Sequence, residues 1–375
     1  MPVADSVLLA GGGTAGHVNP LLAVADELRR RDPAVRITVL GTTAGLEAQL
    51  VPARGYPLVP VPRVPLPRRP TLDWLRLPGR LRAAVRAAER AIRDHDVEVV
   101  VGFGGYVATP AYLAARRLRV PVVIHEQNAR PGLANRLGAR WARAVAVTFP
   151  GTPLRGARVT GLPLRPELAA LVTARTHDPA RARSTGARAL GLDPELRTLL
   201  VTGGSLGAVS LNAALAAGAA DVLGAGAQVL HLTGRGKADA VRDTLAALRL
   251  PARTAERYHV REYLDEMQLA LAAADLVVCR SGAGTVSELA ALGLPAVYVP
   301  LPVGNGEQRL NAAAVVAARG GLLVADADLT PAWVRAHVVP LLGDPDRLAA
   351  MGRAAATVGV TDGAARVADL VEAVR

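Results

Sequence analysis

The sequence feature that most restricts the fold of this chain is a rough internal duplication. The segment from Val7 to Pro20, VLLAGGGTAGHVNP, runs from an apolar strand pattern through a glycine-rich turn into a helix pattern. The segment from Leu199 to Ala208, LLVTGGSLGA, repeats this order in the second half. Such a strand–turn–helix unit opens a doubly wound parallel sheet. Because 375 residues exceed the usual size of one domain, the duplication predicts two Rossmann-like domains in tandem.

Between the two openings, short runs rich in valine, leucine and isoleucine alternate with longer Ala/Leu/Arg segments of helical period. Continuous apolar strands separated by helices indicate parallel sheets that are covered on both faces. We therefore predict an α/β protein with one domain over residues 1–164, a second over 165–354 and a cleft between them. The predicted strands are Ser6–Ala10, Arg36–Leu40, Val97–Val101, Val120–His125, Ala144–Thr148, Thr198–Thr202, Gln228–Thr233, Leu276–Cys279 and Ala296–Val299.

Charge and composition narrow the class of protein. Residues 1–165 carry 24 arginines and 11 acidic residues, whereas the remainder is nearly balanced. The first half therefore either meets an anionic partner or presents a solvated arginine-rich surface. Nucleic acid is the weakest candidate partner, because aromatic residues are only 3% and no stacking platform is visible. Cys279 is the only cysteine, and the N-terminus lacks the pattern of a secretory signal, so we expect a cytosolic protein.

The first glycine turn contains the dinucleotide fingerprint, with glycines at 11, 13 and 16. A nicotinamide site also needs a carboxylate at the end of the second strand, and Leu40–Thr43 offers none. Two other interpretations remain, a tight turn without ligand and a turn whose amides face a diphosphate or sugar oxygen. We favour the second, because amides at a helix N-terminus attract anions.

A second glycine turn, Gly102–Pro110, directly follows another predicted strand. Together the two turns would form a pocket of amide donors in the basic half, suited to an anionic acceptor such as a pyrophosphate. The residues proposed for that pocket are Gly12, Gly13, Gly104, Gly105 and Tyr106. The cluster His125–Asn128 ends a third buried strand, where unpaired polar side chains are costly. We therefore predict a site there, although a single such residue would more often be structural.

The second half contains a comparable turn, Cys279–Glu288, followed by the loop Pro300–Gln308. The turn offers amides and hydroxyls to phosphates, and the sequence places Glu288 in the first helical turn. There its carboxylate would either bind ribose hydroxyls or complement the helix dipole. The three Asp-x-Asp pairs do not follow predicted strands, and no His/Cys spacing suits zinc. We therefore predict no metal and no other cofactor, with helix termini and arginine stabilising the leaving group.

Taken together, six segments resemble the MurG family, bacterial enzymes that transfer N-acetylglucosamine from UDP-GlcNAc to undecaprenyl-pyrophosphoryl-MurNAc-pentapeptide. The segments are Gly11–Pro20, Gly102–Pro110, His125–Asn128, Gly203–Asn212, Cys279–Glu288 and Gln308–Asn311. The resemblance covers almost the whole chain. It implies a GT-B architecture, a donor held mainly by the second domain, inversion at the anomeric carbon, and a C-terminal helix, about 355–375, that packs back on the first domain. It also implies a place on the cytoplasmic face of the membrane, with cell-wall synthesis proteins as candidate partners.

Carried over by motif, the resemblance implies donor contacts on both domains. The implied residues are Thr14, Ala15, Gly16, Asn128, Arg165, Ser205, Leu264, Ala283, Gly284, Thr285, Val286, Ser287, Glu288 and Gln308. Two positions depart from the family pattern. Leu206 stands where a glutamine is usual, and Ala15 replaces a glycine, which requires a negative φ at that position.

A base must take the proton of the acceptor hydroxyl, and His17 is the first candidate because it follows a glycine turn. Glu126 is the second. For the membrane, Trp74, Leu75 and Leu77 with Arg76 and Arg80 are predicted to dock on anionic inner-leaflet lipid, next to a helix with apolar and basic stripes. The alternative is that the apolar stripe, Leu81–Ile92, packs on its own sheet. Alternative functions are a GT-B transferase with another lipid acceptor, a UDP-sugar epimerase and a non-catalytic nucleotide-sugar-binding module.

Overall fold

A computed structural model describes residues 5–64, 73–204 and 207–374. The chain divides into two compact units. The first comprises Met1–Pro166 together with Thr361–Arg375, and the second comprises Glu167–Val360. The chain therefore passes from the first unit to the second and returns.

Each unit is built on one parallel β-sheet. The order is β3-β2-β1-β4-β5-β6-β7 in the first unit and β10-β9-β8-β11-β12-β13 in the second. All pairings between neighbouring strands are parallel. The strands are β1 Ser6–Ala10, β2 Arg36–Gly41, β3 Leu58–Pro60, β4 Val99–Gly102, β5 Val122–Glu126, β6 Ala144–Val147, β7 Ala157–Val159, β8 Thr198–Thr202, β9 Gln228–Leu232, β10 Tyr258–Arg261, β11 Leu276–Cys279, β12 Ala296–Tyr298 and β13 Gly321–Leu323.

Helices connect the strands throughout. They are α1 Ala15–Arg31, α2 Glu47–Ala53, α3 Asp73–Asp94, α4 Gly105–Leu118, α5 Leu133–Gly138, α6 Pro166–His177, α7 Pro179–Ala189, α8 Val209–Ala217, α9 Ala219–Gly224, α10 Ala238–Ala247, α11 Ala252–Ala255, α12 Met267–Ala273, α13 Ala283–Leu292, α14 Glu307–Asn311, α15 Ala313–Ala317, α16 Pro331–Trp333, α17 Val339–Gly343, α18 Pro345–Ala356 and α19 Gly363–Glu372. A 3-10 helix spans Asp326–Asp328, and a π-helix spans Val334–Val338.

The central strands are fully buried, as their continuous apolar sequences predict. Every residue of β1, β4 and β5 is buried, and the same holds for β8 and β11. In the first unit, side chains from one face of the sheet pack with α1, and those from the other face pack with α3 and α4. This arrangement confirms the predicted fold of two Rossmann-like domains.

The strands that the sequence did not predict are the outermost ones. β3 and β7 lie at the two edges of the first sheet, and β10 and β13 lie at the edges of the second. They have three or four residues, and most of those residues are partly or fully exposed. A strand buried on one side only does not carry a long apolar run, so its hydrophobic signal is weak.

Helix α19 belongs to the first unit. Its Val367, Ala368 and Val371 are buried in the same core cluster as residues of α1 and β1. Arg31, near the end of α1, contacts Asp369 at 2.7 Å and Glu372 at 3.0 Å. The same guanidinium donates to the carbonyl of Ala365 at 2.9 Å. Apolar burial and these charged contacts together fix α19 on this unit.

Candidate active site

The four glycine turns lie at the positions in the two sheets where the order of the strands reverses. β1 and β4 are neighbours in the first sheet, and β8 and β11 hold the same position in the second. In doubly wound folds the crevice at the carboxyl ends of such strands is the usual ligand site. The first two turns contact each other, since a Cβ built on Gly105 would lie 2.8 Å from the carbonyl oxygen of Gly12. The two turns therefore lie side by side in the first unit.

His17 lies in the first turn of α1, beside both glycine turns. Its Nδ1 is 2.9 Å from Oγ1 of Thr14. A Cβ built on Gly104, where φ is +87°, would lie 3.3 Å from Nε2 of the ring. Burial lowers the pKa of His17, and the negative charge of Glu47 partly offsets that effect. The imidazole is therefore neutral at pH 7 and able to accept a proton.

Glu47, at the start of α2, is a site residue that the sequence analysis missed. It is fully buried. Its Oε2 accepts a hydrogen bond from the amide of Gly13 at 3.0 Å, and its Oε1 accepts two from Thr42, at 3.1 Å from the amide and 2.7 Å from the hydroxyl. Burial raises the pKa of Glu47, but these hydrogen bonds outweigh burial and hold it below its usual value.

The position of Glu47 corrects the predicted pyrophosphate pocket. The amide of Gly13 already donates to a carboxylate, so it is not an open donor for an anion. Gly12 lies against the same carboxylate, because a Cβ there would be 2.6 Å from Oε1. Gly104, Gly105 and Tyr106 remain as candidates. The one available signal for Glu47 was its place among Gly41, Thr42 and Gly45, just beyond a predicted strand.

Glu126, the second candidate base, ends β5 and is 2% exposed. Its carboxylate accepts hydrogen bonds from the amide of Asn128 at 2.9 Å, the amide of Gly132 at 3.0 Å and Nδ2 of Asn135 at 2.9 Å. Burial raises its pKa, and these donors partly offset the rise. A carboxylate enclosed by these donors, and by the side chain of Asn128 as well, organises the loop after β5. It therefore does not present an open oxygen to a substrate, which leaves His17 as the candidate base.

The neighbours of Glu126 are largely structural. His125 is fully buried, its Nε2 lies 2.9 Å from the carbonyl of Gly161, and burial lowers its pKa to about 4. Asn135 accepts a hydrogen bond from the hydroxyl of Tyr112 at 2.7 Å. Asn128 is half-buried in the loop after β5, and its side chain forms a hydrogen bond with Glu126. Of this polar cluster, only Asn128 is placed to meet a ligand.

The remaining predicted contacts of the first unit lie at or near its surface. Thr14, Ala15 and Gly16 are exposed, and Arg165 is half-buried. Ala15 begins α1, and its φ is not positive. It therefore meets the requirement for an alanine that replaces a glycine at this position. These residues stay candidates for the donor site.

In the second unit the candidate phosphate turn leads into α13. Gly284, Thr285, Ser287 and Glu288 are half-buried around its start. Ala283 and Val286 are 8% and 1% exposed, so their side chains belong to the core. The amide of Val286 donates to the carbonyl of Gly282 at 3.0 Å, which leaves that of Ala283 as the candidate donor of the two. The helix begins at Ala283 and has no acidic residue in its first turn. Glu288 therefore lies in the second turn, and the prediction that it lies in the first turn was wrong.

The other candidates of the second unit are partly accessible or not described. Leu264, after β10, is half-buried. Gln308 in α14 accepts a hydrogen bond from the amide of Leu301 at 2.9 Å, so it holds the loop that precedes it. Ser205 and Leu206 lie outside the described residues, together with the predictions made for them. The glycines on either side of that pair, Gly204 and Gly207, have φ of +79° and +66°.

The helices that start at the glycine turns have N-termini without a side-chain cap, as several other described helices do, among them α5 and α12. In α1, α4, α8 and α13 no side chain caps the helix amides, and no acidic residue lies in the first turn. By contrast, Asp178 caps α7 and Asp344 caps α18 through their carboxylates. Uncapped amides and a positive dipole end favour a bound anion. The first turns of these four helices therefore have backbone amides without a side-chain cap, which could bind a diphosphate.

Arg280 and the Asp-x-Asp pairs have structural partners. Arg280 follows β11 and forms an ion pair with Asp326, and the hydroxyl of Ser210 donates to the same carboxylate at 2.6 Å. Asp344 caps α18, and Asp94 ends α3 on the surface. Within residues 5–64, 73–204 and 207–374, no three His, Cys, Asp or Glu side chains gather as a metal site would require.

The predicted docking segment is only partly described. Trp74, Leu75 and Arg76 lie within α3, but their side chains are outside the described part, whereas Leu77 and Arg80 are half-buried. Farther along α3, Val85, Ala88 and Ile92 are buried in the core of the unit. The stripe Leu81–Ile92 therefore packs largely on its own sheet, which was the alternative interpretation. No helix in the described ranges is long and apolar enough to cross a membrane.

Comparison with known proteins identifies the class and then the family. Residues 7–147 match the glycosyltransferase family 28 N-terminal domain, and residues 198–367 match its C-terminal domain. Together, fold, turns and matches define a glycosyltransferase of family 28. The UDP-N-acetylglucosamine--N-acetylmuramyl-(pentapeptide) pyrophosphoryl-undecaprenol N-acetylglucosamine transferase of Clavibacter sepedonicus is 59% identical over 97% of this chain and 95% of that protein. The chain belongs to the MurG family of these transferases.

Two further relatives agree with this assignment. The transferase of the same name from Paenarthrobacter aurescens (strain TC1) is 52% identical over 98% of this chain and 95% of that protein. The crystal structure of Acinetobacter baumannii MurG superposes with a TM-score of 0.79 at 28% identity, covering 98% of this chain and 99% of that one. The resemblance drawn from the six sequence segments is confirmed.

Proposed function

We propose that this protein transfers N-acetylglucosamine from UDP-GlcNAc to the C4 hydroxyl of undecaprenyl-pyrophosphoryl-MurNAc-pentapeptide, with inversion at the anomeric carbon. The observation that carries the proposal is the 59% identity to a transferase of that name over 97% of the chain. The alternatives, another lipid acceptor or epimerisation of the donor, share the fold but not this relationship. The product is the disaccharide-linked lipid precursor of peptidoglycan.

The reaction is a single displacement in which His17 acts as the base. The C4 oxygen of the acceptor attacks the anomeric carbon, the bond to the diphosphate breaks, and UDP leaves from the opposite face. The imidazole takes the hydroxyl proton, for which a neutral histidine is suited. The role is supported by the place of His17 near the carboxyl end of β1, by its hydrogen bond to Thr14 and by the neutral state of its ring at pH 7.

The leaving diphosphate is stabilised by helix N-termini, without a metal ion. The uncapped first turns of α8 and α13 support this part of the proposal, because open amides at these ends complement developing negative charge. The segment Ala283–Glu288 holds phosphate and ribose through the amides of Ala283, Gly284 and Thr285 and the side chains of Ser287 and Glu288, with Val286 packed beneath them. Leu264 packs by the uracil, and Gln308 binds the sugar. Ser205, Arg165 and Asn128, with the exposed Thr14–Gly16 segment, complete the donor site.

The protein works at the cytoplasmic face of the membrane as a peripheral protein, where it meets anionic lipid and the lipid-linked acceptor. The excess of 24 arginines over 11 acidic residues in residues 1–165 supports this placement. Arg82, Arg86 and Arg90 are exposed on α3, the helix that also contains Trp74 and Leu75. Each basic residue close to anionic lipid contributes about 1 kcal/mol of attraction.

One experiment tests donor, acceptor and metal independence together. Purified protein is incubated with labelled UDP-GlcNAc and the lipid-linked muramyl pentapeptide in the presence of a chelator. The label is expected in the lipid fraction, at the rate seen with added magnesium. Label in a new free sugar nucleotide without acceptor would identify an epimerase. Transfer only to a different lipid would reassign the acceptor, and loss of transfer in chelator would refute metal independence.

A further inference from the structure

Beneath the first glycine turn lies a buried carboxylate to which the proposed reaction gives no role. We propose that Glu47 is a positioning residue for His17, whose charge stabilises the protonated imidazole and whose hydrogen bonds fix the turn that carries it. The inference rests on the proposed role of His17 as the base. It assigns a function to a residue that neither touches the substrate nor stands in any of the six family-like segments.

The first support is the hydrogen bonding of the carboxylate. One oxygen accepts from the amide of Gly13, and the other accepts from the amide and hydroxyl of Thr42. Glu47 therefore joins the turn after β1 to the end of β2. Because α1 begins immediately after that turn, this connection also sets the position of the helix turn that carries His17.

The second support is the space around the side chain. A Cβ on Gly12 would lie 2.6 Å from Oε1, and one on Gly45 would lie 2.1 Å from Oε2. A Cβ on Gly41 would lie 2.8 Å from Cγ of the same residue. Three glycines thus surround one carboxylate without room for a side chain of their own. Glycine at these three positions therefore leaves the space that the Glu47 side chain occupies.

The third support is the balance of charge. A buried carboxylate is costly unless a cation or several donors compensate it. The largest effects on the ionisation of Glu47 are burial and hydrogen bonds from Gly13 and Thr42, whereas its own charge raises the pKa of His17. The other titratable side chains in the turns around His17 are Tyr106, with Arg63 over its ring, and Glu126. Of these groups, Glu47 is the one whose charge opposes the effect of burial on the pKa of His17.

These observations give Glu47 a defined effect on proton transfer. When His17 takes the acceptor proton, a positive charge forms in a half-buried position that water solvates poorly. A fixed negative charge nearby stabilises that imidazolium, as the carboxylate does beside the histidine of a catalytic triad. Without the charge, burial acts alone, so His17 becomes a weaker base.

The test compares Glu47→Gln with Glu89→Gln, which removes a carboxylate that pairs with Arg117 on the same unit. The titration of His17 is followed by NMR on histidine-labelled protein, with the resonance assigned by its loss in His17→Asn. In Glu47→Gln the pKa of His17 should fall below its wild-type value, and the acid limb of the pH profile of kcat/KM should move to lower pH. Turnover at neutral pH should fall by less than the ~10²-fold expected for loss of the base itself. Glu89→Gln should match the wild type.

The variant Glu47→Asp separates an effect of charge from a purely structural role. It keeps the charge but shortens the side chain. If Glu47 acts through its charge, this variant should lose stability while His17 keeps its wild-type pKa. The inference is overturned if the pKa of His17 is unchanged in Glu47→Gln, or if it falls in Glu47→Asp in step with stability. Because the titration needs no substrate, it gives an answer even if the wild-type protein shows no transfer. Failure of the proposed function is thereby distinguished from failure of this inference.

Discussion

The hydroxyl of Thr14 lies 2.9 Å from Nδ1 of His17, although Thr14 is the N-cap residue of α1 and caps none of its amides. A threonine at this position normally satisfies a helix amide with its side chain. Here the hydroxyl orients an imidazole, so the first amides of α1 have no side-chain cap, although that of His17 donates to the carbonyl of Thr14 at 3.1 Å. The N-terminus of α1 thus lacks a stabilising side-chain cap. In return, the Thr14 hydroxyl positions His17, and the positive end of the helix dipole stays uncapped.

Replacing His17 by alanine is expected to lower kcat by ~10² or more, because a base that takes the acceptor proton in the transition state contributes at least that factor. Steady-state rates with lipid-linked acceptor measure the change. Thr14→Val, which removes only the hydroxyl, should give a smaller loss. UDP binding by calorimetry should hardly change in His17→Ala. Near-normal turnover in His17→Ala would remove this residue from the role of base.

Gly104→Ala is expected to disable the site. Gly104 has φ of +87°, and a new Cβ would lie 3.3 Å from the His17 ring. Gly55→Ala is the matched control, since φ is +73° there and nothing lies within 4 Å. Gly55→Ala should lose about 1 kcal/mol of unfolding free energy from the backbone. Gly104→Ala should lose about 1–3 kcal/mol, because its ψ of −165° lies in a region that essentially only glycine adopts. Only Gly104→Ala should also lose transfer activity, and equal activity in the two variants would contradict a close fit around His17.

A carboxylate placed at the start of α13 should weaken donor binding. A Cβ at Gly284 meets nothing within 4 Å, so Asp and Asn both fit there. Gly284→Asp should raise the Kd of UDP at least about tenfold above that of Gly284→Asn, because its charge opposes the diphosphate. It should also stabilise the helix by about 0.3–1 kcal/mol. Equal UDP affinities, measured by calorimetry, would place the diphosphate away from this helix end.

The stability of the second unit should fall in mild acid because of His231. This side chain is fully buried between Asn212 and Tyr258, and burial lowers its pKa from 6.5 to about 3. Between those two pH values the unfolded chain binds a proton that the folded unit excludes. The free energy of unfolding should therefore drop by up to about 1.4 kcal/mol per pH unit from this group.

The measurement uses urea unfolding followed by the fluorescence of Trp333, in a background with Trp74→Phe and Trp141→Phe. His231→Phe should be less stable at pH 7, because Asn212 and Tyr258 lose their partner. Its stability should nevertheless depend less on pH below 6.5. An unchanged pH slope would show that His231 is not the group responsible.

Elements that depend on a local hydrophobic pattern could be predicted from the sequence. Elements and site residues that depend on neighbours distant in the chain could not. Strands β1, β8 and β11 were placed to the residue, because burial on both faces leaves a continuous apolar run. The edge strands were missed because pairing on one side needs no such run. Glu47 was missed for a related reason: its partners Gly13 and Thr42 come from two different turns, and only the folded sheet brings them together. Glu288 was placed one turn early, since the first residue of α13 had to be inferred from the glycines.

Because α19 completes the core of the first unit, that unit is discontinuous along the chain. During translation, residues 167–360 can close their own hydrophobic core before residues 363–372 leave the ribosome. The unit that is made first is then the last to be finished, the reverse of the usual vectorial order of multidomain proteins. Until the final helix arrives, Val18, Leu21 and Ala25 of α1 lack part of their cover.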